Sequence, residues 1–241
     1  KRKKTHFHKT KIIATYGPAC SDENMLVKMI ELGVDVFRFN FSHGEHAVHQ
    51  EGFRKIKELN IKNKTKIAIL SDIQGPKIRV GEVAGGQVML NQGSRIVATS
   101  VKQVSTAEKI YISYERLAQD LKINEVILID DGKLRLKVVD KLNEEEVLLE
   151  VIEGGMMNSK KGVNMPDTNT TVPSITEKDY RDIAFAIENR TNWLALSFVR
   201  KAEDVLALKE ILGEKNAYIK VIAKIEKPEA VKNIDSIIDA A

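Results

Sequence analysis

The sequence predicts an α/β fold: a (β/α)8 TIM-type barrel, incomplete in this chain, with an all-β domain inserted after its third strand. Three observations predict it. Short apolar runs alternate with amphipathic helical stretches as far as Asp72. Between Gly81 and Asn164 the helical period gives way to short strands and tight turns. The α/β texture returns after Met165-Pro166. Continuous apolar strands between amphipathic helices signal a parallel sheet covered on both faces.

Residues 11–15 form the first strand, closed by Gly17-Pro18. Ser21-Asp22 starts a helix with Leu26, Met29 and Ile30 on its apolar face and Gly33 as its stop. Residues 36–41 alternate, with Arg38 and Asn40 on one side and Phe37, Phe39 and Phe41 on the other. A helix over residues 45–59 and a strand over 66–70 follow, and that strand ends in Ser71-Asp72. Inside the insert, residues 87–90, 95–99, 109–112 and 126–129 read as strands, and Asp131-Gly132 supports a tight turn. Residues 133–138 and 147–151 can pair as a hairpin across Asn143-Glu144-Glu145.

Thr176 and Asp179 resemble a capping box, with Tyr180, Ile183, Ala184 and Ile187 on one face of the helix they open. Residues 193–197 make the next strand. Val205, Leu208 and Leu212 line the next helix, which Gly213 ends. The last strand is expected from Tyr218 to Pro228, with Lys224 and Glu226 on one face at its C-terminal end. Pro228 then opens a helix with Val231, Ile234 and Ile238 inward. This gives a first barrel part over 1–80, an inserted β-barrel-like domain over 81–165 and a barrel continuation over 166–241. A parallel barrel needs eight strands. The pattern supplies five, so a piece of a longer protein is expected.

Composition narrows the function classes. With 43% apolar and 30% charged residues, the 241-residue chain has the material for a substantial core. A net charge of +4 is too weak to argue for nucleic acid, and the Lys1-Arg2-Lys3-Lys4 run reads as a solvated terminus. No apolar run approaches a membrane span. One cysteine, Cys20, suits a reducing compartment, so a cytoplasmic protein is expected.

The polar strand ends are the candidate site: Thr15, Asn40 with Ser42, Asp72, then Lys224 and Glu226. A lysine and a carboxylate at a strand end need partners. Glu226 suits a divalent metal, and Lys224 suits a developing oxyanion or phosphoryl group. An ordinary ion pair is the plainer alternative. His46 and His49 sit three apart without a third ligand, which is no metal pattern.

Several stretches, in order, resemble pyruvate kinases. They are residues 10–19, Arg38-Phe39-Asn40-Phe41-Ser42-His43-Gly44, Gly75-Pro76-Lys77-Ile78-Arg79, Ser159-Lys160-Lys161-Gly162-Val163-Asn164 and Lys224-Ile225-Glu226. The resemblance implies glycolytic transfer of a phosphoryl group from phosphoenolpyruvate to ADP, giving pyruvate and ATP. It makes Arg38 the guanidinium on the transferring phosphate and Lys224 the catalytic cation on the phosphoryl group and enolate oxygen. Asn40, Phe41, Ser42 and His43 become the nucleotide-side loop, with Arg79 and Lys161 on the nucleotide phosphates. Glu226 becomes a ligand of Mg²⁺ (or Mn²⁺). The family's monovalent-cation site maps onto Asn40, Ser42, Asp72 and Ile73.

Many members read Asp-Thr-Lys-Gly-Pro-Glu where this chain has Asp72-Ile73-Gln74-Gly75-Pro76-Lys77. The ammonium of Lys77 is therefore read as a substitute for bound K⁺. The resemblance also implies a homo-oligomer for the full-length protein, a homotetramer in the family. It places a second metal carboxylate beyond Ala241, so little activity is expected of the 241 residues alone. Another Mg²⁺-dependent barrel enzyme handling enolates or phosphoenolpyruvate, and a non-catalytic basic binding module, are the competing readings. Neither nucleic acid nor membrane is an expected partner.

Overall fold

The computed structural model describes residues 9–168 and 170–241, so the basic run at Lys1-Arg2-Lys3-Lys4 and the histidines His6 and His8 lie outside the described residues. β1 (Ile12–Thr15), α1 (Glu23–Glu31), β2 (Val34–Asn40), α2 (His46–Asn63) and β3 (Ala68–Ile73) follow one another as the alternation requires. Asp22 caps α1 by accepting the amides of Asn24 and Met25, and Gly33 leaves the helix at φ +106°. Phe37, Phe39 and Phe41 are buried on one side of β2, while Arg38 and Asn40 on the other stay half-buried.

The insert contains β4 (Gln87–Leu90), β5 (Arg95–Thr99), β6 (Lys109–Tyr111), α3 (Leu117–Asp120), β7 (Val126–Ile129), β8 (Leu134–Lys141), β9 (Glu146–Glu153), β10 (Gly155–Asn158) and β11 (Val163–Asn164). Six of these strands form a sheet in the order β11-β7-β8-β9-β5-β6, and β10 pairs with β4. The expected hairpin is β8–β9, antiparallel around the Asn143-Glu144-Glu145 turn. The β7–β8 turn starts one residue early, with Asp130, Asp131 and Gly132 all at positive φ. This sheet closes on its own core, including Ile110, Ile127, Leu136, Val147 and Leu149.

α4 (Glu177–Glu188), β12 (Trp193–Leu196), α5 (Ala202–Leu212), β13 (Lys220–Ala223), α6 (Pro228–Lys232) and α7 (Ile234–Ala240) complete the chain. The parallel sheet runs β1-β2-β3-β12-β13, so β3 and β12 are hydrogen-bonded neighbours although the whole insert separates them in sequence. The described residues up to Gly75 together with Ser174–Ala241 form one compact unit, and the described residues of Pro76–Pro173 form the other.

Three expectations are corrected. The strand read from Tyr218 to Pro228 is only β13, because its paired neighbour β12 ends at Leu196. The Lys224 amide still donates to the Leu196 carbonyl at 3.0 Å, and the chain then leaves the sheet. On α4, Tyr180 and Ala184 face solvent. The inward face carries Asp179, Asp182, Ile183, Phe185 and Ala186, because both aspartates find hydrogen-bond donors there. The last helix breaks at Asn233, whose side chain donates to the Arg200 carbonyl. That break turns Val231 and Ile238 outward and buries Ala230, Ile237 and Ala240 instead. β1 and β13 are the edges of this sheet, and Ile12 and Ile13 on β1 are about half exposed.

Candidate active site

Asp72 is the last acidic residue of β3 and is 2% exposed. A carboxylate that deep is stable only with donors around it. Arg38, on the neighbouring strand β2, supplies Nε and Nη2, each 2.6 Å from Oδ2. Its Nη1 donates to Thr15 Oγ1 at the end of β1, at 3.0 Å. The guanidinium has five N–H donors, more than these contacts use. Lys224, just past β13, donates to Asp72 Oδ1 at 3.0 Å and to Ser197 Oγ at 2.8 Å. The Ser197 hydroxyl in turn donates to the Ile73 carbonyl at 2.6 Å. Side chains from the C-terminal ends of all five parallel strands therefore meet around one carboxylate.

Glu226 stands beside this hub. Its Oε1 lies 3.4 Å from the Lys224 ammonium, and its Oε2 accepts the Phe198 amide at 2.9 Å. Phe198 holds φ +55°, a left-handed conformation costly for a bulky residue. Opposite it, Gly75 (φ +65°) lies so close that an added Cβ would sit 3.0 Å from the Ser197 carbonyl oxygen and 3.3 Å from the Phe198 ring. Only glycine satisfies both the backbone angle and that approach. The Gly75 amide donates to Asp179, which also takes the Thr176 amide and hydroxyl in the expected capping box.

The loop after β2 is closely held. Asn40 Oδ1 accepts the Ser42 amide, the His43 amide donates to the Asn40 carbonyl, and the Phe41 amide donates to the Asp72 carbonyl. His43 itself is exposed. His49 is buried, and its Nε2 bonds the His43 carbonyl at 2.9 Å. Burial pushes the His49 imidazole below its ordinary pKa. The His43 carbonyl and Asp182 oppose this, while His46 and Lys178 add to it.

The second unit gathers its own basic residues. Arg79 forms a bridge with Gly162 and donates from Nη1 to the Lys160 carbonyl at 2.8 Å. Lys161 pairs with Asp130 at 2.9 Å, and Lys133 pairs with the same carboxylate. Those two ammonium groups, Lys133 first, hold the Asp130 carboxyl below its ordinary range. Lys160 pairs with Glu82.

Of the sequence-predicted residues, Arg38, Asp72, Lys224 and Glu226 thus lie in one cluster, with Asn40 to His43 on the adjoining loop. Arg79 and Lys161 lie together in the other unit, to which Lys77 also belongs. The proposed cation-site oxygens have protein partners: Asp72 holds Arg38 and Lys224, Asn40 Oδ1 holds the Ser42 amide, and the Ile73 carbonyl holds Ser197. Sequence reasoning missed Phe198, Lys178 and Asp182. A helical-phase signal existed for Asp182, which falls in register with Asp179, Ile183 and Ala186.

Among the described residues, no three His, Cys, Asp or Glu side chains gather to hold a metal ion. A Mg²⁺ bound by one or two carboxylates with substrate oxygens is the usual arrangement, and Glu226, with 34% of its side chain exposed, suits one such arm. No helix among the described residues is long and apolar enough to cross a membrane.

A parallel β/α sheet with paired cations and carboxylates at its C-terminal rim, interrupted in sequence by an all-β unit, is the arrangement of a barrel-type domain. The chain belongs to the pyruvate kinase family. The family model for the pyruvate kinase barrel domain matches residues 7–241. The pyruvate kinase of Geobacillus stearothermophilus is 42% identical over 236 residues, which is 97% of this chain and 40% of that protein. Those of Corynebacterium glutamicum and Mycobacterium intracellulare are 38% and 36% identical, each over 95% of this chain and 48% of their own length. The chain therefore spans less than half the length of these curated relatives.

Proposed function

We propose that the protein to which this chain belongs transfers the phosphoryl group of phosphoenolpyruvate to ADP. The observation that carries this reading is the convergence of Arg38 and Lys224 on Asp72, with Glu226 beside Lys224. An ADP phosphate oxygen forms a bond to phosphorus while the enol P–O bond breaks. The electron pair left on the enol oxygen gives an enolate, which takes a proton at carbon to become pyruvate. Charge spreads over the phosphoryl oxygens during transfer, so fixed cations contribute most of what the protein supplies.

Arg38 orients the phosphoryl group with the N–H donors left over from Asp72 and Thr15. Lys224 stands against the phosphoryl group and the enolate oxygen. Asp72 keeps both cations at a set spacing before substrate arrives, so little reorganisation remains at the moment of transfer. Glu226 would hold Mg²⁺, which when bound neutralises phosphoryl oxygens as a Lewis acid. Arg79 and Lys161 are the proposed nucleotide-phosphate contacts, the insert is the proposed lid, and the full-length protein is proposed to be a homo-oligomer.

We read Lys77 as replacing K⁺. Turnover of the full-length enzyme in tetramethylammonium buffer should then not respond to KCl, and a large, saturable activation would remove this part. The main test is a coupled assay for pyruvate from phosphoenolpyruvate and ADP in the full-length protein. Lys224→Met should lower kcat by about 10²–10³, the usual effect of deleting one charge-stabilising donor. Unchanged turnover in that variant would overturn the assignment.

A further inference from the structure

Asp182 is a second buried carboxylate with two basic partners, and the chemistry above does not use it. It is 2% exposed, with Oδ2 2.6 Å from Lys178 Nζ and Oδ1 2.7 Å from His46 Nε2. The same Lys178 ammonium donates to the Phe41 carbonyl at 2.7 Å. Since the Phe41 amide donates to the Asp72 carbonyl at 2.9 Å, Phe41 is held through both of its backbone polar groups, from β3 and from α4. Its ring is buried, edge-on to His46, His49 and Phe185, and His46 stacks on Phe185 at 4.5 Å.

The geometry points to Lys178, braced by Asp182, as a positioning residue that sets the orientation of the Asn40–His43 loop and so the affinity for the nucleotide. This rests on the proposed function, in which that loop faces ADP. The physical warrant is that a peptide plane fastened through its carbonyl cannot rotate without breaking a charge-assisted bond. The neighbouring groups, the Asn40 side chain and the Ser42 amide, are fixed relative to that plane. A plain i,i+4 ion pair would use only Asp182. The bond from Lys178 to a carbonyl 137 residues away ties α4 to the loop.

The test compares Lys178→Met, Lys178→Arg and Asp182→Asn with the parent in the full-length protein. Lys178→Met keeps the aliphatic stem and removes the donor. It should raise KM for ADP about tenfold, the weight of one charge-assisted hydrogen bond, with kcat and the KM for phosphoenolpyruvate changing far less. Lys178→Arg, which can still bridge a carboxylate and a carbonyl, should restore most of the loss. Asp182→Asn should shift the same parameter in the same direction. An unchanged KM for ADP, or a fall in kcat and thermal stability together without rescue by arginine, would reduce Lys178 to a structural ion pair. Amide hydrogen exchange gives a readout without activity: residues 42–44 should exchange faster in Lys178→Met while β3 keeps its protection. Unaltered loop exchange also overturns the proposal. If the parent itself fails to convert phosphoenolpyruvate and ADP, the proposed function falls, and loop exchange still decides the role of Lys178.

Discussion

In the first unit, Arg38 and Lys224 share Asp72, a carboxylate on a strand in the middle of a parallel sheet, and both side chains are only 30% and 26% exposed. In the second, Lys161 and Lys133 share Asp130, which sits in a turn at φ +53°, and their side chains are 38% and 71% exposed. The arrangements look alike on paper, two cations on one aspartate. They differ in what fixes the aspartate and in how much water reaches the cations. A strand between hydrogen-bonded neighbours holds its side chain in one place, whereas a turn holds it less firmly. The first unit holds its paired charges on a strand with limited exposure, and the second holds them on a turn with more.

Removing the two hubs should break the likeness most clearly. Asp72→Ala leaves two cations facing each other with little solvent, and should cost about 3 kcal/mol, the low end for a disrupted buried pair. Asp130→Ala should cost far less. Urea unfolding of both variants checks this, and equal losses would erase the distinction. Next in size is Asp179→Ala, which removes the carboxylate that accepts the Thr176 amide and hydroxyl and orphans the Gly75 amide, for about 1–2 kcal/mol in the same measurement.

The pH dependence sharpens the contrast further. The folded-state pKa of His49 is lowered, so below about 6.5 the unfolded chain takes up a proton that the folded chain refuses. Stability should therefore decline as pH falls through that value, and His49→Gln should flatten that part of the profile. The smallest effect belongs to the wet lysine: Lys161→Ala should change stability by no more than about 0.5 kcal/mol while raising KM for ADP. A large loss of stability there would mean the second unit holds its charges as firmly as the first.

Much of this was legible in the chain. The alternation of Phe37, Phe39 and Phe41 against Arg38 and Asn40 placed β2 correctly, because a strand has a period of two whatever surrounds it. Thr176 with Asp179, and Gly213 after Leu212, marked helix ends through bonds made within a few residues. The faces of α4 and of the last helix were misread for the opposite reason. Tyr180 and Val231 are apolar in the right phase, but the surface the first helix meets offers donors for Asp179 and Asp182, and the last helix, broken at Asn233, buries Ala230 and Ala240 instead.

The sequence by itself determined the order of elements, the inserted β unit and the strand ends at which charged residues appear, since each is written in short-range periodicity and capping. Only the tertiary structure decided who meets whom. Lys224 reaches Asp72 across 152 positions, and Lys178 reaches Phe41 across 137. Such pairings are set by the strand order β1-β2-β3-β12-β13 and by which buried carboxylate needs a donor, and neither is a property of any local stretch of chain.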